Sequence, residues 1–183
     1  MEDPFQWKPW LVHDQRFASS RPDVLVYSSD VLDKPVHIMG APMVNLFAAT
    51  SGTDADWVVK LVDVYPNTTT EGAAQGAVGP EMTGFELPIG IEIFRGRYVH
   101  GFDKPAALTP GKVEHYRFGL PNVDHVFLPG HKIMVQVQST LFPLYDRNPQ
   151  RYVDNIFFAK PADYQKATMS VFHTSNVELP IAK

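Results

Sequence analysis

The chain has 183 residues, sixteen prolines, seven histidines and no cysteine, with a formal charge of -4 and a pI near 5.9. That balance disfavours nucleic acid, because no excess of Lys and Arg is available to displace counterions from phosphates. The missing cysteine excludes disulfides, thiolate nucleophiles and Cys-ligated zinc. With 44% apolar and 20% charged residues, one folded domain is expected rather than disorder. No apolar run approaches the roughly 18 residues needed to span a bilayer.

The opening, "MEDPFQWKPW", lacks the charged n-region and apolar h-region of a signal peptide. Phe5, Trp7, Trp10 and Phe17 read as a segment that packs on its own sheet or on a preceding domain, and a sugar-binding platform is the alternative. From there the dominant hydrophobic period is two. Strands are predicted at 23–29, 36–40, 42–50 and 56–66, the last being the strongest β-branched run, "DWVVKLVDVYP". Residues 84–98 carry one or two more, followed by 112–121, 125–139, 151–159, 167–173 and 176–181. Between 66 and 84 the Gly, Thr, Ala and Pro content predicts a long loop, with a short helix at 68–77 as the other reading. Residues 161–167 read as one helical turn. About nine to eleven short strands at this spacing predict a β-sandwich.

The alternation assigns faces. Ile133, Val135 and Val137 share one side of their strand, and Gln136 and Gln138 the other. Tyr116, Phe118 and Leu120 point one way, His115 and Arg117 the opposite way. Half-buried strands of this kind suit two antiparallel sheets packed face to face.

Signals for chemistry are sparse. There is no Gly-x-Ser-x-Gly, His-Glu-x-x-His, phosphate loop or Gly-x-Gly-x-x-Gly. His115, His125 and His131 read better as hydrogen-bonding histidines at strand ends than as metal ligands. Asp54 and Asp56 read as a polar turn bonding backbone N–H groups, since a Ca²⁺ site needs six to eight oxygens. Asp63, mid-strand on the face of Leu61 and Tyr65, is expected to be paired if buried, with Arg95 or Arg97 as partner. No cofactor and no metal is expected. In "FPLYDRNPQ" (142–150), Pro143 and Pro149 stiffen a loop leaving a sheet edge. Asp146 and Arg147 are expected to tie it down, and Phe142 and Tyr145 to pack on the sandwich or on another domain, or to border a cleft.

Several stretches together resemble one family. "DQRFASSRPDVLVYSSDVLDKPVHIMGAPMVNLFAATSGTDADWVVKLVDVYP" (14–66) is similar to the opening of the C-terminal domain of α-amino acid ester hydrolases. The wider group includes glutaryl cephalosporanic acid acylases, cocaine esterase and X-Pro dipeptidyl peptidases. "RGRY" and the 142–150 stretch belong to the same resemblance, which runs from Asp14 nearly to the end. It implies an all-β jelly-roll sandwich of the galactose-binding-like kind, two antiparallel sheets over residues 21–183, with 1–20 as linker from a preceding hydrolase domain. It also implies that a Ser-His-Asp triad lies ahead of this domain, so no catalytic residue is carried over. The expected partner is that α/β-hydrolase domain, with a homo-oligomer as a candidate assembly and no nucleic acid or membrane partner. The parent would be a serine ester or amide hydrolase, exported by analogy with the family. A stand-alone carbohydrate-binding jelly roll is the alternative.

Overall fold

The computed structural model describes residues 12–67 and 82–182. A one-turn helix, α1 (Arg16–Ser19), precedes ten strands: β1 (Leu25–Ser28), β2 (Val36–Gly40), β3 (Met43–Thr50), β4 (Asp56–Val64), β5 (Glu86–Arg95), β6 (Glu114–Gly119), β7 (Val123–Phe127), β8 (Lys132–Gln138), β9 (Met169–Val171) and β10 (Asn176–Glu178). All strand pairings among the described residues are antiparallel. One sheet runs β1-β8-β4-β5. The second runs β10-β3-β6, with β9 also on β3, and β2 and β7 form a two-stranded ribbon. β10 pairs with residues 43–45 and β9 with 48–50, so the two lie end to end along the same edge of β3.

Alternation builds the core. Val44, Leu46 and Ala48 of β3 and Trp57, Val59 and Leu61 of β4 enter one cluster with Tyr116, Phe127 and Ile38. Phe94 adds ring contacts to Tyr116 and Phe118. Tyr116 thus points inward while His115 and Arg117 are exposed, as their alternation predicts. Antiparallel sheets around such a core make the all-β sandwich expected from the period of two.

Two expectations change. Residues 151–159 form no strand, because the Asn155 side chain accepts the Phe157 N–H at 2.9 Å and starts a 3-10 turn, Ile156–Phe158. Of the one or two strands expected over 84–98 there is one, and it ends in the 3-10 turn Gly96–Tyr98. It carries Pro88, which is tolerated because β5 is an edge strand and its register slips between Leu61 and Val62. The larger change concerns the outer face of the first sheet. Gln136 and Gln138 are buried, as are Val58, Lys60 and Val62. The non-periodic segment 14–20 lies over Lys60 and Gln136: Gln15 accepts from Lys60 Nζ, Ser19 Oγ accepts from Gln136 Nε2, and the Gln15 N–H donates to the Glu86 carbonyl at 3.0 Å. Residues 68–77, expected as loop or helix, fall outside the described residues.

Leu61→Ala would empty part of this core from its central strand. A loss of about 2–5 kcal/mol is expected in urea unfolding of the chain, and an unchanged midpoint would contradict the packing described.

Candidate functional site

Two buried polar clusters sit at opposite ends of β4. At its start, the register sets Asp56 opposite Arg95, whose Nη1 donates to Asp56 Oδ2 at 3.0 Å. Two residues on, the Gly96–Tyr98 turn swings Arg97 inward, where Nε donates to Asp54 Oδ2 at 2.9 Å. Asp54 also accepts the Ala55 N–H at 2.9 Å. So the polar-turn reading of Asp54 captures one of its bonds and misses the arginine. Burial pushes the Asp56 carboxyl up to about 6, against the pull of Arg95 and Asn148.

Asn148 connects this cluster to the 142–150 loop. Its Nδ2 donates to Asp56 Oδ1 at 2.9 Å, and its Oδ1 accepts the Gln150 N–H at 2.8 Å. The Gln150 carbonyl accepts from Thr53 N–H at 3.1 Å and from Gln165 Nε2 at 2.8 Å. A Cβ on Gly52 would meet that carbonyl at 2.2 Å, so glycine is needed for the approach. The loop is therefore held by Asn148 and Gln150, not by Asp146 and Arg147. Those two are exposed and form no ion pair with each other among the described residues. Arg147 places its guanidinium 5.9 Å from the Tyr164 ring centroid instead. Tyr145 is half-buried and donates its N–H to the Leu141 carbonyl, and Phe142 is 63% exposed.

At the other end of β4, Asp63 is met by two histidines and no arginine. His131 Nδ1 lies 2.8 Å from Oδ1 and His125 Nε2 lies 2.9 Å from Oδ2. A carboxylate only accepts, so both imidazoles present an N–H to it. The expected Arg95 or Arg97 partner is out of reach: Asp56 and Asp63 are seven residues apart, about 23 Å along a strand. His115 stands apart, stacked on Phe47 at 4.3 Å. Among the described residues no cluster of His, Asp and Glu could hold a metal. Nor does a serine or threonine hydroxyl there hydrogen-bond to a histidine, so no nucleophile–base pair forms.

The outer face of the first sheet carries a third polar group. Lys60, 2% exposed, donates from Nζ to Gln15 Oε1 at 2.7 Å. Ser19 Oγ donates to Glu86 Oε2, and Gln136 Nε2 donates to Ser19 Oγ at 2.8 Å. A hollow of about 80 Å³ opens here between Gln15, Phe17, Arg21, Lys60, Gln138 and Phe142. Phe17 is 51% exposed on its rim. Of the four aromatics weighed as a sugar platform, Phe17 alone is described, and it borders this hollow, while Phe5, Trp7 and Trp10 lie outside the described residues. Sequence reading missed the hollow because Lys60 reads as one polar residue in an apolar strand. Its only signal was that a lysine sat mid-way in the strongest strand.

The chain is thus an antiparallel β-sandwich whose buried carboxylates Asp54, Asp56 and Asp63 are each engaged by arginine or histidine side chains. The sequence pattern of the X-Pro dipeptidyl-peptidase C-terminal non-catalytic domain matches residues 2–177, and the chain belongs to that family. It is 37% identical over 135 residues to cocaine esterase from Rhodococcus sp. (strain MB1 Bresler), covering 74% of this chain and 21% of the esterase. Among solved structures, an α-amino acid ester hydrolase superposes with a TM-score of 0.91 at 53% identity, over 98% of this chain and 29% of that one. An aminopeptidase from a marine sediment Thaumarchaeota archaeon gives 0.90 at 49% identity, over 97% and 28%. The chain thus spans less than a third of the length of each of these relatives.

Asn148→Ala removes the bond to Asp56. A loss of about 1–3 kcal/mol is expected, together with faster amide exchange confined to 141–150 and 50–54. Protection of those amides at the wild-type level would contradict the anchoring role. Lys60 provides a pH test. Burial lowers its ammonium from 10.5 to about 8, so between these values the unfolded chain holds the proton and the folded chain has released it. Stability from this group therefore rises as pH climbs from about 8 to 10.5. The stability gap between Lys60→Met and wild type should narrow across that window, read by urea midpoints at each pH, and a constant gap would refute the shift.

Proposed function

We propose that this chain is the C-terminal, non-catalytic domain of a serine hydrolase and packs on that enzyme's α/β-hydrolase domain. The contact runs through the outer face of the first sheet, and the 142–150 loop borders the cleft. The observation that carries this is the pairing of two exposed aromatics, Phe17 and Phe142, on one hollow beside the point where the described chain enters the sandwich. Large apolar rings brought together in this way mark an interaction face more than a solvated surface. The loop is rigid at Asn148 and Gln150 and apolar at its exposed end, which suits a wall presented to a neighbour.

The relatives by their names act on esters and on peptide N-termini. The parent of this domain is accordingly proposed to cleave small α-amino acid esters or amides through an acyl-enzyme, with the serine, histidine and carboxylate supplied by the catalytic domain. This domain contributes position and enclosure and no proton transfer.

Phe142→Asp is expected to weaken association between this chain and a separately produced catalytic part by at least about 30-fold, measured by calorimetric titration, with the stability of the chain itself unchanged. Equal binding would remove this face from the interface. In the full-length polypeptide, Tyr145→Ala is expected to lower turnover of an α-amino acid ester at an unchanged melting temperature. A lower melting temperature with normal turnover would confine Tyr145 to packing.

A further inference from the structure

The hollow on the outer face holds an ammonium that no described residue neutralises by contact. Lys60 donates to Gln15 Oε1, a neutral acceptor, and the Phe17 ring centroid lies 5.8 Å from Nζ. An ammonium carries three donors. Glu86, whose charge favours that of Lys60, is hydrogen-bonded by Ser19 and Gln136 and forms no ion pair with it. Arg21 on the rim opposes the Lys60 charge and is itself forked onto Asp23, at 2.9 Å from Nε. Burial already lowers the Lys60 ammonium to about 8. A cation so placed is costly to the domain by itself.

A second group in the same hollow is incomplete. Gln138 is 6% exposed, its Nε2 donates to the Thr140 carbonyl, and its Oε1 has no hydrogen-bond partner. The two residues thus bring a cationic donor and a neutral acceptor to one hollow, which Phe17, Leu141 and Phe142 also line. A carboxylate answers the first, and a main-chain N–H answers the second. A turn carrying an aspartate or glutamate presents both. In a C-terminal domain of this family the catalytic part comes earlier in the chain. The segment through Gln15, Phe17 and Arg21, which leads into this domain, forms one side of the hollow.

We propose that the hollow seats a carboxylate-bearing turn of the preceding catalytic domain, with Lys60 as its cationic partner and Gln138 Oε1 accepting a main-chain N–H of the same turn. This rests on the reading that the chain packs on a catalytic domain through this face. Lys60 is then a counter-ion held ready in the sandwich, and its lone cost is offset on docking.

The test is one substitution in two settings. Lys60→Met is made in the 183-residue chain and in the full-length polypeptide carrying the catalytic domain. Alone, the chain should melt about 3 °C higher, because a buried uncompensated cation is replaced by an apolar group of similar volume. In the full-length polypeptide the same change should lower the melting temperature of this domain, because the partner carboxylate is left buried and unpaired. That reversal of sign is the expected result, and Lys60→Gln should repeat it if the methionine variant folds poorly. A shift of the same sign in both settings overturns the proposal. Phe142→Asp separates the two levels. If it releases the catalytic domain while Lys60→Met shows no reversal, docking through this face stands and the carboxylate does not. If it leaves association unchanged, the docking reading fails and takes the proposal with it.

Discussion

The burial of β4 on both faces governs the rest of the fold. Every residue from Asp56 to Asp63 is buried, which a two-layer sandwich alone cannot achieve, since one face of each sheet normally meets water. Trp57, Val59 and Leu61 enter the core between the sheets. The even-numbered ones, Val58, Lys60 and Val62, are buried as well, and over Lys60 the cover comes from residues 14–20. The helix α1 has only one turn and could not persist alone. It is held because Gln15 and Ser19 satisfy polar groups of the sheet beneath.

Charged residues at both ends of that strand act as register pins. Asp54 and Asp56 meet Arg97 and Arg95, and Asp63 meets His125 and His131. A one-residue slip of β4 against β5 would turn each carboxylate to the opposite face and leave a buried charge unpaired. Such pairs add little net stability over apolar residues of the same shape. Their effect here is to make wrong pairings expensive. Asn148 extends the pinning to a segment of no regular structure, giving the 142–150 loop a fixed place although it has no strand partner.

Local pattern was legible and long-range partnership was not. The period of two identified β2, β3 and β4 nearly to the residue, and it placed Tyr116, Phe118 and Leu120 on one face. Asp63 was recognised as a residue needing a partner. Its partners are 62 and 68 positions away, and nothing local distinguishes those histidines from nearby arginines. The 142–150 loop stands out in the sequence for its aromatic and charged residues, yet its anchors are an amide side chain and a main-chain carbonyl. Asn148 before Pro149 was the readable hint, since Asn bonds its own backbone in turns, as it does to Gln150. The covered outer face was invisible because residues 12–24 carry no periodicity.

The margins of the sheets also shape how the chain meets others. β1 has four residues, β5 carries Pro88 and a register slip, and β9 and β10 divide one side of β3 between them. None of these four strands offers a long, straight run of free backbone groups on which another strand could template itself. A domain with exposed aromatic rings and twelve phenylalanines would otherwise risk stacking into cross-β ladders. Ragged margins leave recognition to side chains on a face, where shape and charge can select a partner, and withhold the indiscriminate backbone adhesion by which fibrils grow.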